Sequence, residues 1–213
     1  YLCCTWIINH RIIDRYNNDT RKLSDYYVGQ RIGEMWGFVS YGLFQNQEEI
    51  DTAWKDSQGN YVKYVNNLMQ THEKYITYPG DIRFEDLNNN QKIDKGADTA
   101  DDAGDRKIIG NSKPRYNYSF RGDFNWMGID MQLFFQGVGK LDWMPDANCI
   151  YFWNTYSYHR PTFIPKDFEA KCWSSEEGAD NSNALYPRRR GRMSASSYLV
   201  TSDYWLQDAS YIR

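Results

Sequence analysis

The segment from Tyr116 to Gly139 restricts what this chain can fold into more than any other. Tyr116, Tyr118, Phe120, Gly122, Phe124 and Trp126 alternate with Asn117, Ser119, Arg121, Asp123 and Asn125. A β-strand sends successive side chains to opposite faces, so the pattern predicts one apolar and one hydrophilic face. After Met127-Gly128 a second arm places Ile129, Met131, Leu133, Phe135 and Gly137 on one face. Asp130, Gln132, Phe134, Gln136 and Val138 fall on the other. A two-residue loop at Met127-Gly128 pairs Trp126 with Ile129, Phe124 with Met131, Gly122 with Leu133 and Phe120 with Phe135, all on one face. An odd loop length would set one arm's apolar face against the other's polar face, so the pattern selects its own register. Gly128 supplies the positive φ that a tight hairpin requires. Each arm, at about 11 residues and roughly 3.3 Å per residue, reaches about 36 Å, or about 25 Å along a membrane normal when tilted near 45°. The same ribbon would also serve as one layer of a soluble β-sandwich.

Composition and loop lengths separate these two uses. Aromatic residues make up 17% of the chain, with 18 Tyr and 8 Trp, although the mean hydropathy is −0.80. Disordered chains are depleted in aromatics, so this chain folds. A polar average rich in aromatics fits a barrel with an apolar outer face, interfacial aromatic girdles and a wet lumen. The formal net charge of −3 gives no electrostatic case for nucleic acid. No run approaches the roughly 18 apolar residues of a transmembrane helix, which leaves barrel strands open. Strand-like runs are expected over Trp6–Tyr16, Gly29–Phe44 and Tyr198–Arg213, with a short helix within Asn46–Leu68. The stretches 45–115 and 140–197 read mostly as long loops. Such loops count against a compact soluble domain, whereas a transmembrane barrel carries long extracellular loops and short periplasmic turns. The expected fold class is therefore all-β: part of a transmembrane antiparallel β-barrel with long extracellular loops. The chain has no basic leader or cleavage site at Tyr1 and reads as an internal piece of a longer protein.

Candidate chemistry is sparse. Asp86-Leu87-Asn88-Asn89-Asn90-Gln91-Lys92-Ile93-Asp94 resembles an EF-hand-type calcium loop. Asp86, Asn88, Asn90 and Asp94 would supply hard oxygen donors, Lys92 its backbone carbonyl, and Asp98 the closing carboxylate in place of Ala97. Gln91 stands where the turn glycine belongs, and an Asx-rich turn bonding its own backbone is the competing reading. Trp143, Trp153 and Tyr156 are candidate sugar-stacking residues in the second long loop, or parts of that loop's own packing. The basic run from Arg188 to Arg192 is either a solvated loop or a contact for phosphate. Among the four cysteines, Cys149 and Cys172 could bridge a loop in an oxidising compartment. The histidines are scattered, no nucleophile motif or P-loop is complete, and the reading is of a protein that is not an enzyme.

Several blocks resemble the SusC/RagA family of TonB-dependent outer-membrane transporters. They are Gly33-Glu34-Met35-Trp36-Gly37-Phe38 with Gly42-Leu43-Phe44-Gln45, and Pro79-Gly80-Asp81-Ile82-Arg83-Phe84-Glu85-Asp86-Leu87-Asn88. Ile109-Gly110-Asn111-Ser112-Lys113-Pro114-Arg115-Tyr116 precedes the hairpin, Phe134-Phe135-Gln136-Gly137-Val138-Gly139-Lys140 closes it, and Leu206-Gln207-Asp208-Ala209-Ser210-Tyr211-Ile212-Arg213 ends the chain. The blocks run in family order from about residue 27; residues 1–26 match poorly. The resemblance implies a 22-stranded barrel in the cell outer membrane of a Gram-negative member of the Bacteroidota. Residues 1–213 would form part of its C-terminal barrel, with the plug domain and other strands outside this sequence. It implies import of oligosaccharides or other glycans, or peptides. The partners implied are a SusD-like surface lipoprotein, TonB reached through the missing N-terminal part, outer-membrane lipid and the substrate itself. The alternative is a soluble, secreted β-sandwich carbohydrate-binding module, with or without calcium.

Overall fold

The computed structural model describes residues 1–53, 78–90, 93–145, 166–188 and 200–213. Their regular structure is mostly β-strand with almost no helix, and their sheets are small and unclosed. The strands are β1 (Leu2–Ile8), β2 (Glu34–Phe38), β3 (Ser40–Leu43), β4 (Ile82–Phe84), β5 (Arg106–Asn111), β6 (Tyr116–Trp126), β7 (Ile129–Gly139), β8 (Asp142–Trp143), β9 (Gln207–Asp208) and β10 (Tyr211–Ile212). Among the described residues helix is confined to α1 (Gln47–Ala53), α2 (Phe168–Lys171) and a 3-10 turn at Asp203–Trp205.

The chain divides into two units. The first comprises Tyr1–Trp36, Ile108–Met144 and Trp205–Arg213. Its centre is a four-stranded antiparallel sheet in the order β1-β6-β7-β10. The β6–β7 hairpin takes the expected register along its whole length, from Trp126 opposite Ile129 to Tyr116 opposite Gly139. Met127 (φ 48°) and Gly128 (φ 81°) both lie in the left-handed region, as a tight hairpin turn of the primed type requires. A small ladder joins β8 to β9, with Asp142 opposite Asp208 and Trp143 opposite Gln207.

β1 departs from the expected Trp6–Tyr16 run. It covers Leu2–Ile8 and pairs with β6 from Leu2 opposite Gly122 to Ile8 opposite Tyr116. Leu-Cys-Cys-Thr-Trp-Ile-Ile carries no alternation to read, but its β-branched and aromatic residues suit a pleated surface. The expected Gly29–Phe44 run divides into β2 and β3; Gly33 (φ 86°) takes the turn before β2 and Gly42 (φ 91°) the irregularity within β3, both with a φ that L side chains adopt rarely. In the described part of the Tyr198–Arg213 run, residues 200–213, the strands are two residues long.

The second unit comprises Gly37–Lys107 and Pro145–Tyr204. Phe38, Phe44, Ile50, Ile82, Phe84, Ile93 and Phe168 are buried and make its core. β3 pairs with β4 across a register shift between Ser40 and Leu43. Asp81 is buried, and its carboxylate takes an ion pair from Arg188 at 3.0 Å, while the Arg188 guanidinium lies 4.4 Å over the Tyr78 ring. A buried carboxylate needs such a partner, so the first arginine of the basic run has a structural task. The rest of that run lies outside the described residues.

Candidate functional site: a two-faced sheet

The register of the four-stranded sheet sorts its side chains onto two faces. Leu2, Cys4, Trp6 and Ile8 of β1 stand opposite Gly122, Phe120, Tyr118 and Tyr116 of β6. Those residues face Leu133, Phe135, Gly137 and Gly139 of β7, and Ile212 of β10 pairs with Gly137. With Phe124, Trp126, Ile129 and Met131 they form one continuous apolar face. The other face carries Thr5, Asn117, Ser119, Arg121, Asp123, Asn125, Asp130, Gln132 and Gln136, interrupted by Cys3, Ile7, Phe134, Val138 and Tyr211. There the Arg121 guanidinium pairs with Asp123 at 3.1 Å, and Asn125 bonds Asp130 across the turn end of the hairpin.

The apolar face is exposed. Leu2, Trp6, Ile8, Phe124, Trp126, Ile129, Met131, Leu133, Phe135 and Ile212 keep between 44% and 73% of their surface open. Fully burying one such side chain is worth about 1.5–3 kcal/mol, so this face in water forgoes on the order of 10 kcal/mol. That is comparable with the whole stability of an ordinary domain.

Aromatic rings pack along this face rather than scatter. Trp6 lies 5.6 Å from Tyr118 at an interplanar angle of 20°, and 5.6 Å from Tyr116. Phe120 and Phe135 lie 6.3 Å apart across the hairpin. Gly137 makes this ring layer possible. A Cβ at Gly137 would run into the Tyr118 ring, whereas one at Gly122 would make only ordinary contacts with Leu2 at 3.4 Å and Phe120 at 3.5 Å. Cross-strand aromatic cover of strand glycines is a recognised way of pinning register.

The sheet is also asymmetric end to end. The ends of β1 and β7, Ile8 and Gly139, lie level with Tyr116, and β10 enters at Tyr211 opposite Val138. The long excursions 9–115 and 140–210 therefore both leave and re-enter at this end. The two-residue turn at Met127-Gly128 closes the other end.

The sequence candidates among the described residues lie outside this sheet. In the calcium-like loop, Asp86 Oδ1 and Asn88 Oδ1 accept from the Asn90 backbone N–H at 3.2 and 3.0 Å. Asp94 Oδ1 accepts from the Gly96 N–H at 2.8 Å, and Asp98 pairs with Arg106 at 2.6 Å. Lys92 lies outside the described residues. The loop is organised instead by Asp105, which the sequence reading passed over. Asp105 is fully buried, and its carboxylate accepts from the backbone N–H groups of Leu87 at 2.9 Å and Asp94 at 2.8 Å. Burial raises its pKa above the ordinary carboxylate value, against the pull of those hydrogen bonds. Among the described residues no group of three or more His, Cys, Asp or Glu is placed to hold a metal ion.

Trp143 is exposed in β8, opposite Gln207. Trp153, Tyr156 and Cys149 lie outside the described residues, and the Cys149–Cys172 pairing with them. Of the candidate sugar-stacking residues, Trp143 alone lies among the described residues. The sequence reading began the first strand at Trp6 and so missed Leu2–Thr5 of β1, the strand whose Leu2, Trp6 and Ile8 extend the apolar face.

No helix among the described residues is long and apolar enough to cross a membrane, which has no bearing on β-barrels. No family model matches this chain, and no curated protein matches it.

Proposed function

We propose that this chain is part of the barrel wall of an outer-membrane, TonB-dependent importer of the SusC/RagA type. The observation that supports the reading best is the exposed apolar face of the β1-β6-β7-β10 sheet, backed by a mainly polar face. A soluble protein of this composition would have to cover that face; in a bilayer, lipid covers it at no cost. The connection lengths agree, with long excursions at one end and a two-residue turn at the other. In this reading Trp6, Tyr116 and Tyr118 form an interfacial girdle at the long-loop end, and Trp126 marks the periplasmic side. The free edges of β1 and β10 pair with neighbouring strands of a closed barrel, since unpaired edges invite aggregation.

The sequence blocks described above add the family, and with it the function. The chain would serve import of oligosaccharides or peptides, beneath a SusD-like surface lipoprotein and driven through TonB. The role is transport rather than catalysis. Fractionation of cells that make the intact protein tests the reading. The protein should sediment with outer membranes and leave them only in detergent. Recovery in the soluble fraction after lysis without detergent would end it in favour of a soluble carbohydrate-binding module.

A further inference from the structure

The first unit holds an open cavity of about 650 Å³ at the long-loop end of its sheet, within the ordinary size range of small-molecule sites. Its wall brings together five cationic side chains from four separate stretches of sequence: Arg11, Arg31, Lys113, Arg115 and Lys140. Only two carboxylates, Glu34 and Asp142, line the same space. Neither forms an ion pair with these cations among the described residues. Glu34 accepts from the Tyr27 hydroxyl, from Trp36 Nε1 at 3.2 Å and from the Arg31 backbone N–H at 3.2 Å. Burial, and after it the bond to Glu34, pushes the Tyr27 phenol up to about 12, so it remains a donor at neutral pH. Asp142 Oδ2 accepts from the Asn111 backbone N–H at 2.8 Å.

The cations have little to neutralise them. Arg11, Lys113 and Lys140 make no side-chain hydrogen bond or ion pair among the described residues. Arg115 sits 5.6 Å over the Tyr116 ring, and Arg31 Nη2 lies 3.3 Å from His10 Nε2. Both leave the guanidinium charge in place.

The wall that carries these charges is built by specific bonds. Asn111 Nδ2 donates to the Ile32 carbonyl at 3.2 Å, and Asn111 Oδ1 accepts from the Lys113 N–H at 2.7 Å. Ser112 N–H donates to the Gly33 carbonyl at 2.8 Å. Gly33 must lack a side chain here, because a Cβ would stand 2.6 Å from Lys113 Cγ. The Asn9 N–H bonds the Arg115 carbonyl at 2.8 Å, and the Arg115 N–H bonds that of Lys140 at 3.3 Å.

From this geometry we propose that the cavity binds a small soluble polyanion. Its carboxylate, sulfate or phosphate groups would be held by Arg11, Arg31 and Arg115, with Lys113 and Lys140 at the rim. Arginine offers the paired donors that planar oxyanions accept, and a concave cationic wall focuses the attraction. The inference stands on the cavity and not on the membrane reading, so each can fail without the other.

The test is calorimetric titration of the detergent-purified intact protein with inorganic pyrophosphate, with trigalacturonate as a polycarboxylate and maltotriose as the neutral control. Saturable binding of at least one anion is expected at 50 mM salt, weakened at least tenfold at 500 mM, with none for maltotriose. Arg11→Gln should weaken that binding about tenfold. Lys113→Gln and Lys140→Gln, both at exposed positions, should weaken it several-fold with the melting temperature unchanged. Absence of saturable binding by either anion would overturn the proposal. So would equal binding of maltotriose, or anion binding indifferent to all three substitutions. Binding seen only with lipid A in vesicles would overturn it too, by assigning the cations to a lipid headgroup.

Discussion

Asp105 carries more of the local architecture than any motif residue near it. Its buried carboxylate gathers the N–H groups of Leu87 and Asp94 from two sides of the Asx-rich loop. Asp105→Asn keeps the shape but turns an amide donor toward one of those N–H groups, which costs about 1–3 kcal/mol. The raised pKa adds a signature in pH. A carboxyl whose folded pKa lies above its unfolded value binds its proton more tightly when folded. Its contribution is then complete below the unfolded value near 3.8 and is lost as pH rises through the folded one. The stability difference between wild type and Asp105→Asn, from melts at matched pH, should therefore grow as pH falls from 7 towards 4. A constant difference would show that the carboxyl is not held above its ordinary range. The sequence displayed the loop's Asp and Asn residues but not this hub. Leu87, Asp94 and Asp105 meet only after the chain turns back, and no periodicity records that. Met127 is similar: Gly128 announced the turn, but a positive φ at a methionine is visible only in the backbone.

Among the elements, the β6–β7 hairpin was the most legible. Strict alternation and a two-residue turn leave one register that keeps apolar residues together, and that register is the one formed. β1 was illegible for the opposite reason. Seven residues without alternation fit either face, and only the pairing with β6 places Leu2, Trp6 and Ile8 on the apolar one. β9 and β10, at two residues each, are too short for any pattern. The face assignment has an energetic consequence on neighbouring residues of β7. Leu133→Arg should cost about 2–4 kcal/mol near a bilayer midplane. Gln132→Arg, on the hydrophilic face, should stay within about 0.5 kcal/mol. Urea unfolding of the intact protein in lipid vesicles measures both. Equal costs at the two positions would mean that the faces do not divide lipid from water.

For the whole molecule, the β-rich character and the paucity of helix were readable from composition and pattern. The division into two units was not, because each unit is assembled from distant stretches of sequence. The same distance hid the cationic cavity, whose outermost charges, Arg11 and Lys140, are 129 residues apart, and whose wall is gathered by the Ile12–Arg31 bridge and the β6–β7 pairing. The proposed function depends on one property above all: the apolar face of the sheet meets lipid while the opposite face meets water. Nitroxide side chains measure this directly, attached one at a time along β6 to the intact protein in liposomes after its four cysteines are replaced by serine. At Tyr118, Phe120 and Phe124 the labels should collide with oxygen and be shielded from a water-soluble nickel chelate. At Ser119, Arg121 and Asp123 that preference should reverse. Water accessibility that does not alternate along β6 would contradict the account.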